Sequence, residues 1–495
     1  MDILCDSKYF ISTSEKLRIA LVAAMALLWT LFFYDNSIGL NLFIFGLCLM
    51  MVQGWYQSEV WQEGSNWLIG LLWLLSLMAV AWHGSDIAIL SVFLWMLVAT
   101  GRRFIPASSL LTALLNSIGS LATSFLYDVL VSRQQDPPGG KGFIAKLAKT
   151  IKLTIGPIAI IFFFFILYAF ASDSFGNLSG DALNLISIGR LFYFGFAFAA
   201  LYGLFHYLPL KSLTEEDLNT GNFLERIRHR RKRNSPMLAL YNEYLRATFL
   251  FAGLNLLLLL FHGSDVYSLI TTQDSLNHSA MVHQGVNTLI FSIIVAIILI
   301  VFHFRGNLNF YSKSKTLRQL VYGWIALNAL LVLSTFFKNY LYIAQYGLTY
   351  KRVGVTFFLL LCLAGLLITL LKVTEKRNFW FLLRSNAWVF FVTGTLFAAL
   401  PWNPIITQHN LDRKIGYAYV LKLGDNNTHL IAKHLQENPY ELRDCRLLDL
   451  WKHKLSRTLR KDHNLLESTW LQYQRDNYLQ SIAIDPSISE VNCQP

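Results

Sequence analysis

The sequence predicts an all-α protein: a polytopic transmembrane helical bundle of about eleven spans, with an in-plane amphipathic helix and a small helical C-terminal domain. Three observations predict it. Of 495 residues, 54% are hydrophobic and only 15% are charged, whereas soluble domains carry about 25% charged residues. The mean hydropathy is +0.43. Apolar stretches near the length a bilayer demands, about 20 residues for a hydrocarbon core roughly 30 Å thick, recur along the chain and then cease before a charged tail. In lipid every backbone N–H and C=O must be paired within its own segment, so such stretches are helices.

The polar start "MDILCDSKYFISTSEK" runs into the first apolar stretch with no small-residue cleavage site, so that span is expected to be retained. Spans are predicted at 18–34, 38–55, 67–82 and 87–100, which form an N-terminal part over 1–103. The next stretch, "FIPASSLLTALLNSIGSLATSFLYDVLV", repeats Leu111, Leu114, Leu115, Ile118, Leu121 and Phe125 at helical spacing opposite Thr112, Asn116, Ser120 and Thr123. That two-faced pattern predicts a helix lying on the membrane. With the linker "QQDPPGGKG", whose paired Pro and Gly stop helices, it makes up 104–153. A seven-span core over 154–401 follows, with spans at 154–171, 185–207, 247–261, 289–304, 320–337, 353–371 and 388–400.

Basic residues set the orientation. With the N-terminus inside and 104–131 not crossing, the later inner loops 133–152, 211–246, 305–318 and 372–384 hold twenty-one Lys and Arg. The outer loops hold three, Lys338, Lys351 and Arg352. Cytoplasmic loops concentrate Lys and Arg, so the N-terminus is placed in the cytoplasm. An odd number of spans then leaves the tail, 402–495, extracytoplasmic. Its mixed charge and amphipathic runs predict a soluble helical domain. In an oxidising exterior Cys445 and Cys493 are candidates for a disulfide. The formal charge of +12 reads as this loop bias and does not imply nucleic-acid binding.

Chemistry-bearing motifs are sparse. There is no H-E-x-x-H, G-x-S-x-G, P-loop or G-x-G-x-x-G pattern, and the cysteines show no C-x-x-C spacing. No catalytic residue, metal site or cofactor is assigned. The run Arg226, Arg228, Arg230, Arg231, Lys232 and Arg233 reads first as a cytoplasmic anchor and second as a contact for anionic lipid or an acidic partner. Arg190, inside a predicted span, is a functional candidate because a buried guanidinium seeks a carboxylate, with Asp173 and Asp181 at hand. The outer stretch 262–285 offers His262, Asp265, Asp274, His278 and His283, but an i, i+5 histidine spacing does not share one helical face, so a solvated loop is the plainer expectation.

The stretch "NYLYIAQYGLTYKR" joins two spans through Tyr340, Tyr342, Tyr346 and Tyr350, whose rings suit the interface, and through Gly347, which can end a helix in a left-handed conformation. Its cations Lys338 and Arg352 stand on the side otherwise poor in them and are expected to meet acidic groups of the tail or of lipid headgroups. With Trp324 and Asn328 upstream and "YGLTYKR" downstream, the region resembles a family of bacterial multi-pass membrane proteins catalogued only as a domain of unknown function. "ITQHNLDR" and "YVLKLGDNNTHLI" resemble that family's Asn and Tyr-Leu helical tail, over about 150–480. The resemblance implies candidate functional residues at Asn328, Lys338, Tyr342, Gly347 and Arg352, with lysine at 338 where arginine is usual and therefore no bidentate contact there. It implies no activity or cofactor. The expectation is a non-enzymatic sensor, regulatory or scaffold component of the bacterial inner membrane, with membrane lipids and an envelope protein as partners. A transporter or lipid-handling protein is the alternative.

Overall fold

A computed structural model of the chain describes residues 15–56, 64, 66–130, 188–225, 236–271, 278–304, 307–438, 444–460 and 465–481. Among them the chain forms seventeen α-helices and no strand beyond one isolated bridge, Phe223 to Arg377. Ten of the eleven predicted spans coincide with helices; the eleventh, 154–171, and the linker 134–142 lie outside the described residues. The chain divides into two compact units, residues 1–218 with 463–470, and 219–462 with 471–495.

The first unit contains α1 (Glu15–Phe33), α2 (Leu40–Tyr56), α3 (Asn66–His83), α4 (Asp86–Phe104), α5 (Leu110–Leu130), α6 (Ile188–Phe205) and most of α7 (Lys211–Asn219). α3 and α4 form a tight hairpin because Gly84 takes φ +58° and Ser85 caps α4 by accepting from the N–H of Ala88 at 3.3 Å. Polar side chains join helices across the apolar interior: Ser76 and Ser91 share a hydrogen bond of 2.8 Å, and Gln53 Nε2 donates to Thr100 Oγ1 at 3.2 Å. Trp73 and Trp95 fill the space between them and are fully buried.

α5 is long and apolar enough to cross a membrane, and it packs back along its neighbours α4 and α6. Its first turns meet Gly101 of α4 through the backbone of Ala113, and its last turns, Ser124 to Asp128, border one cavity with Phe104 and Ile105 of the same helix end. One turn beyond Ala113, Ser117 Oγ donates to Leu97 O at 2.8 Å, and Phe125 meets Phe198 of α6 edge-on with ring centroids 6.2 Å apart. Ser120 Oγ donates to Gly203 O of α6 at 2.8 Å, and Asn116 holds Leu210 N and Thr214 Oγ1.

The second unit begins with α8 (Pro236–Thr271) and α9 (His278–His303), followed by α10 (Lys315–Tyr346), α11 (Tyr350–Thr374) and α12 (Phe379–Ala398). α8 and α10 run in parallel, with three polar rungs between them. Asn255 Nδ2 donates to Leu320 O at 2.9 Å, His262 Nε2 lies 3.0 Å from Leu327 O, and Asp265 accepts from Ser334 Oγ at 2.8 Å. The expectation of a solvated loop starting at 262 is therefore corrected: residues 262–271 continue α8, because His262 and Asp265 have partners on α10. Phe251, Ile300, Trp324, Leu331, Leu359 and Leu366 form the core. Seven helices, α3, α4, α5, α8, α10, α11 and α12, are long and apolar enough to cross a membrane, and α1, α2, α6 and α9 contain shorter apolar helices.

The tail comprises α13 (Trp402–Asp412), α14 (Tyr417–Lys422), α15 (Thr428–Glu437), α16 (Cys445–Leu459) and α17 (Trp470–Ser481). Their apolar faces bury Leu411, Val420, Ile431, Leu435, Leu448, Trp451 and Leu479 together, as the amphipathic runs predict.

A glycine pair tests the α5–α6 contact. A Cβ on Gly203 would stand 2.6 Å from Ser120 O, whereas one on Gly195 of the same helix would meet nothing within 4 Å. Gly203→Val is expected to cost about 1–3 kcal/mol through overpacking, read as a lower Tm of the detergent-solubilised protein, while Gly195→Val leaves Tm nearly unchanged.

Candidate functional site

Of the stretch singled out at 338–352, the turn at 347–350 meets the tail within the second unit. α10 ends because Gly347 adopts φ +81°, with its N–H bonded to Ile343 O at 2.9 Å. Ending there exposes the next peptide, and Leu348 would carry an unpaired donor and acceptor. One side chain satisfies both. Asn410 of α13, 1% exposed, accepts from Leu348 N through Oδ1 at 2.6 Å and donates through Nδ2 to Leu348 O at 2.9 Å. The fit excludes a side chain at 347, since a Cβ there would come within 2.6 Å of Asn410 Oδ1. Gly416, at φ +69°, packs against the other end of the same amide.

Two tyrosines extend the junction. Tyr350 N donates to Tyr419 Oη at 3.0 Å, and Tyr350 Oη donates to Asn403 Oδ1 at 2.8 Å. Thr349 caps α11 by accepting from Arg352 N. Arg352 Nη1 donates to Tyr346 O at 2.9 Å and to Gly347 O, with its guanidinium 4.0 Å from the Tyr342 ring centroid. The cation thus neutralises the carbonyl end of α10 and stacks on an aromatic face. Asn339 Nδ2 holds Arg352 O at 3.1 Å and Thr356 Oγ1 at 3.0 Å.

The expected partners of the two cations need correction. Lys338 forms an ion pair with Asp265 of α8, not with the tail, and Arg352 binds backbone carbonyls and rings. Asp265 is largely buried beside Ser334, so a carboxylate lay within the bundle where the sequence reading had looked to the tail. Asn328 donates to Trp324 O at 2.8 Å within its own helix. Arg190 stands in the first turn of α6, exposed, with its guanidinium 5.3 Å from the Tyr34 ring. Asp173, Asp181, the run 226–233 and Cys493, and with it the pairing expected of Cys445, lie outside the described residues.

Sequence reasoning missed Asn403, Asn410 and Tyr419 as a group. Asn410 and Tyr419 fall inside the quoted tail motifs, but only the fold shows which backbone they hold. Among the described residues no three His, Cys, Asp or Glu side chains come close enough to hold a metal ion. The chemistry of the junction is that of a hydrogen-bonded lock.

Behind it in the tail, Lys454 Nζ, 2% exposed, donates to Leu423 O at 2.7 Å and Gly424 O at 3.0 Å. Burial pushes its ammonium down to about 8 from an ordinary 10.5.

A family model described as a domain of unknown function (DUF4153) matches residues 20–434. It reaches further toward the N-terminus than the expected 150–480 and takes in the lock and the tail through most of α15. No curated protein matches the chain, and no solved structure does.

Three outcomes are expected. Asn410→Ala strands two backbone groups at about 1–3 kcal/mol each, which should lower Tm and speed proteolysis of the tail; unchanged proteolysis contradicts the lock. Lys338→Met alone leaves Asp265 unpaired and should destabilise more than Lys338→Met with Asp265→Asn, read as Tm in a double-mutant cycle. For Lys454, the unfolded chain binds more protons than the folded one between pH 8 and 10.5. Stability of the tail should therefore rise with pH across that window, and Lys454→Met should flatten the slope in thermal melts.

Proposed function

The chain belongs to the DUF4153 family of domains of unknown function, and on that premise we propose that it is a non-enzymatic membrane protein of the bacterial envelope whose bundle anchors and orients an extracytoplasmic tail. In this reading it serves as a sensor, regulatory or scaffold component of the inner membrane. The observation that carries it is the Asn410 amide, which fixes the first helix of the tail to the turn between two apolar helices. A tail on a loose tether would need no such side chain.

The same contacts support the proposed sidedness. The positive-inside count puts the turn at 347–349 outside, so the tail helix bonded to it lies outside too. In the first unit, Asn41 N donates to Leu466 O at 2.8 Å, Ser37 Oγ bonds Glu467 at 3.2 Å, and Gly84 packs against Thr469. Both turns reached by that segment, 34–39 and 84–85, fall on the outer side in the same count, which supports one location for the whole tail. This count takes 104–131 as not crossing, the arrangement that leaves Lys and Arg on the inner loops.

A transporter or lipid-handling alternative would need a polar path at mid-membrane depth near Arg190; the exposed position of Arg190 over Tyr34 lends that reading little.

The test is a pair of fusions after Pro495. An enzyme reporter that matures only outside the cytoplasm should be active and a cytosolic fluorescent reporter dark, and the opposite pattern overturns the orientation. Crosslinking from tail positions in native membranes should recover a partner protein, and Asn410→Ala should reduce the yield. An equal yield removes the anchoring role.

A further inference from the structure

Within the first unit a cavity of about 290 Å³ opens where α1 begins and α4 and α6 end, closed on one side by the last turns of α5. Its lining carries a guanidinium, a carboxylate and an imidazole, Arg18, Asp128 and His206, beside the apolar faces of Phe104, Phe205 and Leu208. The polar groups are held in place. Tyr202 Oη donates to Asp128 Oδ2 at 2.7 Å, and the same tyrosine ring stacks on His206 with centroids 3.9 Å apart and planes 2° off parallel. Both ring nitrogens of His206 are buried without a hydrogen-bond partner among the described residues, an expensive arrangement for an imidazole unless a ligand supplies one. Tyr127 of the lining is exposed, as are Leu17 and Leu126 next in sequence to lining residues, so the surface beside the mouth is apolar.

A guanidinium and an imidazole suit a phosphate, and a carboxylate beside aromatic faces suits an ammonium. The size is at the lower edge of the roughly 300–1,000 Å³ of ligand pockets, enough for a headgroup and not for a whole lipid. The apolar mouth favours a ligand whose remaining bulk stays in the bilayer. We propose that this cavity binds the headgroup of a zwitterionic phospholipid, its phosphodiester against Arg18 and His206 and its ammonium against Asp128. Basic pockets at the ends of membrane helices bind anionic headgroups; Asp128 shifts this one toward a headgroup that also carries a cation.

The test uses full-length protein, delipidated in detergent, presented with equimolar phosphatidylethanolamine and phosphatidylglycerol, and read by native mass spectrometry. The parent should carry phosphatidylethanolamine in preference. Asp128→Asn, which keeps an acceptor for Tyr202, should abolish that preference while retaining phosphatidylglycerol. Arg18→Gln should weaken both lipids about tenfold. Equal binding of the two lipids by the parent, or an unchanged preference in Asp128→Asn, overturns the proposal. Free phosphoethanolamine should fail to displace the lipid at millimolar concentration; displacement would assign the site to a soluble phosphate ester and overturn the lipid source. Should a variant unfold, a diazirine on the phosphatidylethanolamine headgroup, photolysed on the parent, decides: labels at 104–105, 124–128 or 205–209 support the site, and labels confined elsewhere overturn it.

Discussion

A polypeptide leaving one membrane helix and entering the next must find partners for the backbone groups that neither helix supplies, and in the second unit that constraint is met by the amide of Asn410. Its two hydrogen bonds to Leu348 reproduce, with a single side chain, the pairing a neighbouring strand would offer. Much else follows from this contact. Gly347 has no room for a Cβ, Gly416 must bend to let the chain pass, and the tail's first helix acquires a fixed position on the bundle. Asn403, Tyr350 and Tyr419 then widen a point contact into a surface.

The interior of the apolar helices obeys a related economy. Hydrophobic burial does not discriminate one helix pairing from another in lipid, so close packing and sparse polar contacts select the arrangement. Gly203 lets α5 approach α6, and Ser76 with Ser91 fastens the α3–α4 hairpin. Between α8 and α10 the rungs at Asn255, His262 and Asp265 set both register and direction, since each partner lies further along α10 than the last. The ion pair of Asp265 with Lys338 ends that ladder close to the turn. A residue pattern that resembled a loop with metal ligands is therefore the upper part of a helix–helix seam.

The cations beside the turn illustrate why charge counting reaches only so far. Counting them as cations beside a turn between apolar helices marks them as in need of compensation, and compensation came from three different sources. Lys338 found a carboxylate on a neighbouring helix, while Arg352 found the carbonyl dipoles at the end of the preceding helix and a tyrosine face. A guanidinium can spread its donors over several acceptors at once, and an ammonium concentrates on one strong partner. The two positions are adjacent in function only because the helices place them so.

What the sequence alone determined is whatever depends on local composition and period. Long apolar stretches dictate helices because lipid offers backbone groups no alternative, and the amphipathic runs of the tail dictate α15 and α16, with Ile431, Leu435, Leu448 and Trp451 facing inward. Tertiary structure alone decided which distant residues meet: Asn410 with Leu348, Asp265 with Lys338, and Ser120 of α5 with Gly203 of α6. The physical reason is that a hydrogen bond or an ion pair depends on separations of a few ångströms between groups tens of residues apart, and no periodicity within either segment encodes that separation.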